Sequence, residues 1–214
     1  MDKQFFWDIL DQKRMDILPL FKDFKNDFYL AGGTALALQL GHRDSIDFDF
    51  FSEKSFSTKE LTQKVEQLFQ GHKITKNQEE KDTLSFVIDD VVKISFLSYP
   101  YKLIKPLLDE DNFKMASVED IGAMKLSAIT SRSVLKDYVD LYFILHQIKL
   151  KDLLNLTEEK FPTIDANSIL KSLVYFDDIQ EEPILFKHND NISFESVKEY
   201  LSETVKKYLY NDNK

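Results

Sequence analysis

Residues 45–51, Ser-Ile-Asp-Phe-Asp-Phe-Phe, alternate apolar and polar side chains, and this alternation restricts the fold more than any other feature of the chain. A period of two belongs to a β-strand, with Ile46, Phe48 and Phe50 on one face and Ser45, Asp47 and Asp49 on the other. A strand with one apolar face needs a sheet to pair with and a layer to pack against. The residues just upstream supply neighbours. Residues 27–32 are apolar and end at glycine, which predicts a short strand, and residues 34–40 favour helix, with Gly41 as the stop signal. The chain has only five glycines, and two of them, Gly32 and Gly33, stand together between this strand and this helix.

The rest of the chain extends the pattern. Apolar positions from Phe5 to Phe21 suit one or two amphipathic helices. Residues 57–69 open on a capping box, Ser57 with Glu60, and continue as a helical stripe through Leu61, Val65 and Leu68. Two β-rich runs flank Asp89-Asp90, which predicts a tight hairpin. Residues 117–148 read as helix, capped by Ser117 with Asp120 and broken near Ser131 to Ser133. Residues 150–210 read as helical, with Asp165 and Ser193 as caps. The expected order is helix, strand, helix, strand, helix, hairpin and then helices only. The fold class is α+β: a mixed β-sheet core flanked by helices over residues 1–114, and a C-terminal helical region over 115–214.

Composition excludes several chemistries. There is no cysteine, hence no disulfide, no thiolate nucleophile and no cysteine metal site. The first residues lack the basic and apolar regions of a signal peptide, and no apolar run is long enough to span a bilayer. The expected location is the cytoplasm, with no membrane partner. A net charge of −9 argues against a broad nucleic-acid face but leaves room for a local basic pocket. Arginines are few, Arg14, Arg43 and Arg132, and His72, His146 and His188 lack metal-ligand spacing.

The glycine pair has two readings. It is either a tight turn with no ligand, or a place where the backbone approaches a bulky anion at a helix N-terminus, phosphate being the usual one. Asp47 and Asp49 also have two readings. They are either the solvated face of an edge strand or a pair of hard oxygen ligands on one face, suited to Mg²⁺ or Mn²⁺. Together the second readings make the two halves of a nucleotide–metal site.

The stretch Gly-Gly-Thr-Ala-Leu…His-Arg-x-Ser-x-Asp-x-Asp, residues 32–49, resembles the signature of the AbiEii/AbiGii-type nucleotidyltransferase toxins. These belong to a superfamily whose fold is similar to the catalytic domain of polymerase beta. Residues 119–145, with Lys125, Arg132, Lys136-Asp137 and Asp140, resemble the family's later block, and residues 93–101 are similar to its middle strand. The resemblance implies transfer of a nucleoside monophosphate from an NTP to an acceptor, which could be tRNA, protein or a small molecule, and a cognate antitoxin. It implies that Gly32, Gly33 and Thr34 hold the triphosphate and that Asp47 and Asp49 bind the metal. It further implies that Lys125 contacts a phosphate, that Asp137 completes the acidic site or helps activate the acceptor, and that His42, Arg43 and Ser45 shape the turn into the metal strand. Arg132 is a further candidate for the triphosphate, if residues 125–140 form one helix that aligns it with Lys125, Lys136 and Asp140. The alternative is a solvated face with pairs such as Lys136–Asp140.

One departure bears on activity. Many enzymes of this superfamily carry a third carboxylate on a later strand, and the matching residues here, 91–96, contain none. Either Asp137 substitutes for it, or the chain is a catalytically inactive nucleotide-binding or partner-binding module.

Overall fold

The computed structural model describes residues 5–179, 182–187 and 192–211. Seven strands form one mixed sheet: β1 (Tyr29–Ala31), β2 (Phe48–Ser52), β3 (Ile74–Glu80), β4 (Thr83–Ile88), β5 (Val92–Ser98), β6 (Leu108–Asp109) and β7 (Lys114–Met115). Their spatial order is β3-β4-β5-β2-β1-β7-β6. Strand β2 lies between β1, antiparallel to it, and β5, parallel to it. Eight α-helices accompany the sheet among the described residues: α1 (Gln12–Ile17), α2 (Gly32–Leu40), α3 (Thr58–Leu68), α4 (Val118–Ala128), α5 (Leu135–Leu145), α6 (Leu150–Lys160), α7 (Ala166–Leu173) and α8 (Phe194–Asn211). The class is α+β, as the alternation of patterns implies.

The apolar face of β2 builds the core. Phe48 and Phe50 are buried, and Phe21 meets both edge-on with ring centroids 4.8 and 4.9 Å away. Phe96, opposite Phe50 in the β2–β5 ladder, stacks on it at 5.5 Å. These offset and T-shaped contacts suit the quadrupoles of aromatic rings. With Phe48 and Phe50 pointing to this layer, Asp49 must point to the opposite face of the sheet, toward the N-terminus of α2.

Several expectations need correction. Strand β2 begins at Phe48, not at residue 45, and Ile46 is 55% exposed instead of lying on the apolar face. Side chains take up the backbone ahead of the strand: Thr34 Oγ1 donates to the Asp47 carbonyl, and Arg14 Nε donates to the Ile46 carbonyl at 2.7 Å. The first helical stretch divides into 3₁₀ turns at Trp7–Ile9 and Leu18–Phe24 around α1, with Pro19 at the start of the second. Strands β6 and β7 follow the hairpin, so the later chain is not helix alone; β7 pairs in parallel with β1. Strand β3 carries no sequence pattern that predicts it.

Other local readings hold. Asp89 and Asp90 take φ of 52° and 58° at the centre of the β4–β5 turn, which the Val91 N–H closes by donating to the Ile88 carbonyl at 3.0 Å. Ser57, Ser117 and Asp165 cap their helices by accepting the N–H three residues on. Gly41 ends α2 with φ of 66°. The break near residues 131–133 separates α4 from α5. Asp120 also pairs with Lys160 Nζ at 2.8 Å in the interior and so fastens α6 to α4.

Candidate active site

The candidate site forms where β1 turns into α2. Gly32 takes φ of +71°, a conformation that favours glycine, and a Cβ placed there would stand 3.2 Å from Asp49 Oδ2. A Cβ on Gly33 would stand 2.7 Å from Arg43 Nη2 and 3.0 Å from Ser45 Oγ. The glycine pair is therefore required by the chain's own side chains. Ala31, the N-cap of α2, offers no side-chain acceptor to the first-turn N–H groups. Those groups are the positive end of the helix and are suited to an anion. The hydroxyl of Thr34 is committed to Ser45 Oγ, at 2.9 Å, and to the Asp47 carbonyl.

Asp49 lies opposite Ser95 in the β2–β5 ladder and accepts a hydrogen bond from its hydroxyl. Burial raises the pKa of its carboxyl; the Ser95 bond lowers it, neighbouring Asp47 raises it further, and Lys93 and Lys125 lower it. The result is a carboxyl above its ordinary range, a site at which a bound cation would be stabilising. Among the described residues there is no cluster of three or more His, Cys, Asp or Glu able to hold a metal ion. Asp47 and Asp49 are two carboxylates, and an oxygen-seeking cation held by two would complete its shell with substrate phosphates and water.

Behind the turn is a buried charge cluster that joins sequence-distant residues. Arg43 grips Asp140 with Nε to Oδ1 at 2.7 Å and Nη2 to Oδ2 at 2.9 Å. Lys125 Nζ lies 2.6 Å from Asp140 Oδ2 and 2.6 Å from Asp137 Oδ1. Arg132 reaches Asp137 with Nε at 2.8 Å and Nη2 at 3.2 Å. Burial alone would raise the Asp140 carboxyl, but Arg43 and Lys125 overcome it and hold Asp140 well below the usual carboxylate range. Both oxygens of Asp137 are thus occupied, whereas Lys125, with two partners among the described residues, has a third N–H donor and lowers the Asp49 pKa through its charge.

His42 is fully buried and lies 2.8 Å from Asp140 Oδ1 through Nε2. Because Asp140 is ionised, Nε2 carries the proton and donates it; Nδ1 has no hydrogen-bond partner among the described residues. Burial lowers the His42 pKa, and the hydrogen bond to Asp140 only partly opposes this. A histidine neutral in the fold and charged in the unfolded chain makes stability fall as pH drops below about 6.5. His42→Gln keeps an N–H donor without titrating. Its melting temperature is expected to decline less than the wild type's between pH 7.5 and 5.5; parallel curves would remove His42 from the acid response.

Lys125 and Arg132 do not share one continuous helix face, because the chain breaks between α4 and α5. Lys136 pairs outward with Glu182 at 2.7 Å and not with Asp140, which points inward. Asp140 and Ser95 are the cluster residues to which sequence reasoning gave no site role. His72 pairs with Asp89 at 2.7 Å and His146 stacks on Tyr200, so neither joins the site, and His188 lies outside the described residues.

A glycine turn and an acid pair at one end of a mixed sheet, completed by a helical block, define a nucleotidyltransferase architecture. Residues 20–203 match the family described as "Nucleotidyl transferase AbiEii toxin, Type IV TA system", and the chain belongs to that family. It is a nucleotidyltransferase of the toxin type. The chain is 40% identical over 192 residues to the uncharacterized protein aq_aa25 of Aquifex aeolicus, covering 87% of this chain and 90% of that one. Its fold is similar to JHP933 of Helicobacter pylori, with a TM-score of 0.62, 18% identity and coverage of 97% and 96% of the two chains. It is also similar to MenT4, a nucleotidyltransferase toxin of Mycobacterium tuberculosis, with a TM-score of 0.64, 13% identity and coverage of 90% and 80%. No helix among the described residues is long and apolar enough to cross a membrane.

Proposed function

We propose that the chain is a metal-dependent transferase that moves a nucleoside monophosphate from an NTP to a cellular acceptor, within a toxin–antitoxin pair. The carrying observation is the meeting of Gly32 and Asp49, where an uncapped helix N-terminus and a carboxylate approach within the width of one missing side chain. In this reading the backbone N–H groups of Gly32, Gly33 and Thr34 receive the triphosphate. The third N–H of Lys125 neutralises charge on the departing phosphates. Asp47 and Asp49 would hold Mg²⁺ or Mn²⁺, which when bound polarises the phosphoryl oxygens. The acceptor hydroxyl oxygen attacks the α-phosphorus and its proton passes to solvent water, while the bond to the α,β-bridging oxygen breaks and pyrophosphate leaves with that electron pair.

In this reading the buried cluster takes the remaining roles. Arg43 and Ser45 shape the turn beneath the phosphates. Arg132 and Asp137 fix the position of Lys125, and Arg132, exposed on its outer side, also lines an open cleft of about 560 Å³ with Ser131, Ser133 and Tyr175 where an acceptor could approach. A non-catalytic nucleotide-binding module is the second reading, favoured by one observation: β5 presents Lys93 and Ser95 to Asp49 where a third acid would stand.

One assay decides between them. The chain is incubated with each α-labelled NTP, Mg²⁺ and separate pools of RNA, protein and small metabolites. Label is expected in one pool. NTP binding without label in any pool supports the non-catalytic module.

A further inference from the structure

Asp49, Lys93 and Ser95 share one face of the sheet. Phe48 pairs with Ile94, and both are buried in the aromatic core, so the residues next to them in β2 and β5 point to the opposite face. Asp49 stands across from Ser95, and the same register carried back by one position sets Lys93 beside Asp47, which leads into β2. Neighbouring strands lie about 4.8 Å apart, so the Lys93 ammonium, on its flexible four-carbon stem, belongs to the surroundings of both carboxylates.

No structural partner accounts for Lys93. It is half-buried, its neighbour on β4 is Val87, and its ammonium makes no ion pair or hydrogen bond among the described residues. The acids of the adjoining β4–β5 turn are engaged elsewhere, Asp89 with His72 at 2.7 Å and Asp90 with Lys73 at 2.8 Å. The carboxyl that feels Lys93 is Asp49, whose pKa its charge lowers. Lys125 acts on Asp49 in the same direction, but through an ammonium already bound to Asp137 and Asp140.

The charges bear on how many metal ions the site can take. Where two ions serve a phosphoryl transfer they stand about 3.5–4 Å apart, one at the attacking oxygen and one at the leaving side. A pair of divalent ions that close needs several carboxylates around it. Asp47 and Asp49 balance one such ion, and no third acid completes a cluster among the described residues. A second ion would also stand against the fixed positive charge of Lys93, and like charges repel.

We propose that Lys93 takes the place of a second metal ion, so that the site works with a single divalent ion and the Lys93 ammonium meets the attacking hydroxyl of the acceptor. This rests on the transferase reading and adds a catalytic residue to it. The acceptor oxygen still loses its proton to water, and pyrophosphate still leaves with the electron pair of the broken bond. The ammonium neither gains nor loses a proton; it offsets the negative charge that gathers on the attacking oxygen. Lys93 and Ser95 in place of a third acid then mark a different cation and not a lost activity.

The first test counts ions. The full chain is titrated with Mn²⁺ in the presence of each α,β-methylene NTP in turn, and bound Mn²⁺ is followed by electron paramagnetic resonance. A single Mn²⁺ per chain, with the spectrum of an isolated ion, is expected. A spin-coupled pair overturns the proposal and leaves the transferase reading intact, whereas a chain that binds no nucleotide or no Mn²⁺ overturns the transferase reading itself. In the labelled-NTP assay, Lys93→Met is expected to lower kcat about a hundredfold while the KM for NTP stays within about threefold, and Lys93→Arg to keep roughly a tenth or more of the wild-type kcat. Lys93→Met is also expected to keep the wild-type melting temperature. An unchanged kcat in Lys93→Met, a loss carried by KM alone, or a melting temperature lowered by several degrees overturns the proposal, by showing the lysine to be idle, a holder of the triphosphate, or structural.

Discussion

Asp49→Asn is expected to lower nucleotidyl transfer on the order of a thousandfold, about 4 kcal/mol of transition-state stabilisation, with no loss of melting temperature. The two halves of this expectation have one cause. The Asp49 carboxyl is buried beside Asp47, and its pKa is raised in the fold. An acid whose folded pKa exceeds its unfolded one makes the fold less stable as pH rises through that interval, and this cost is fully present above the folded pKa. Asparagine has no such charge, and its side-chain oxygen still accepts from Ser95. The variant should therefore melt at the wild-type temperature or slightly above it. Mg²⁺ with NTP should raise the melting temperature of the wild type and not of the variant. Retained transfer, or a melting temperature lowered by several degrees, would show Asp49 to be a structural carboxylate.

Asp140→Asn should do the reverse to stability. Asp140 is fully buried and receives Arg43 on both oxygens, Lys125 on one and His42 on one. The amide keeps the shape but leaves Arg43 and Lys125 buried without their counter-charge. Removing one member of such a cluster costs about 3–5 kcal/mol, a fall of about 10 °C in a chain of this length. Transfer should decline as well, since Arg43 underlies Gly33 and Lys125 faces Asp49. The same charges set the acid limit: a depressed carboxyl contributes stability above its unfolded value near 3.9, and that contribution is lost as pH falls toward the folded one. A melting temperature within about 2 °C of the wild type would show the cluster to be energetically neutral.

What could be read from the sequence was what repeats locally. The Gly-Gly turn, the Asp-x-Asp alternation, the caps at Ser57 and Ser117 and the Asp89-Asp90 hairpin each declare themselves within a few residues. Strand β3 does not, because Ile74–Glu80 is a sheet edge that buries almost nothing, and its polar residues carry no alternation. Strands β6 and β7 have two residues each, too short to show a period. Ile46 continues the alternation yet faces solvent, because Thr34 and Arg14 claim the backbone beside it. Asp140 is the instructive case. Locally it sits four residues after Lys136 and suggests a solvated pair; its actual partner, Arg43, lies 97 positions earlier. Pairings at that distance are set by how α5 docks on the α2 turn, which no local pattern encodes.

The segment around Phe186 has a bearing on synthesis. It forms a bridge with Arg43, and the Lys187 N–H donates to the His42 carbonyl at 3.1 Å. The turn that would cradle a triphosphate is therefore braced from behind by residues translated some 140 positions after it. Chains emerge from the ribosome N-terminus first, so a nascent chain carries its glycine turn and both acids long before Asp140 and Phe186 exist to hold them. For an enzyme of a toxin family, this order of assembly withholds the brace until the segment around Phe186 has been made, and fragments that end before it are left without it.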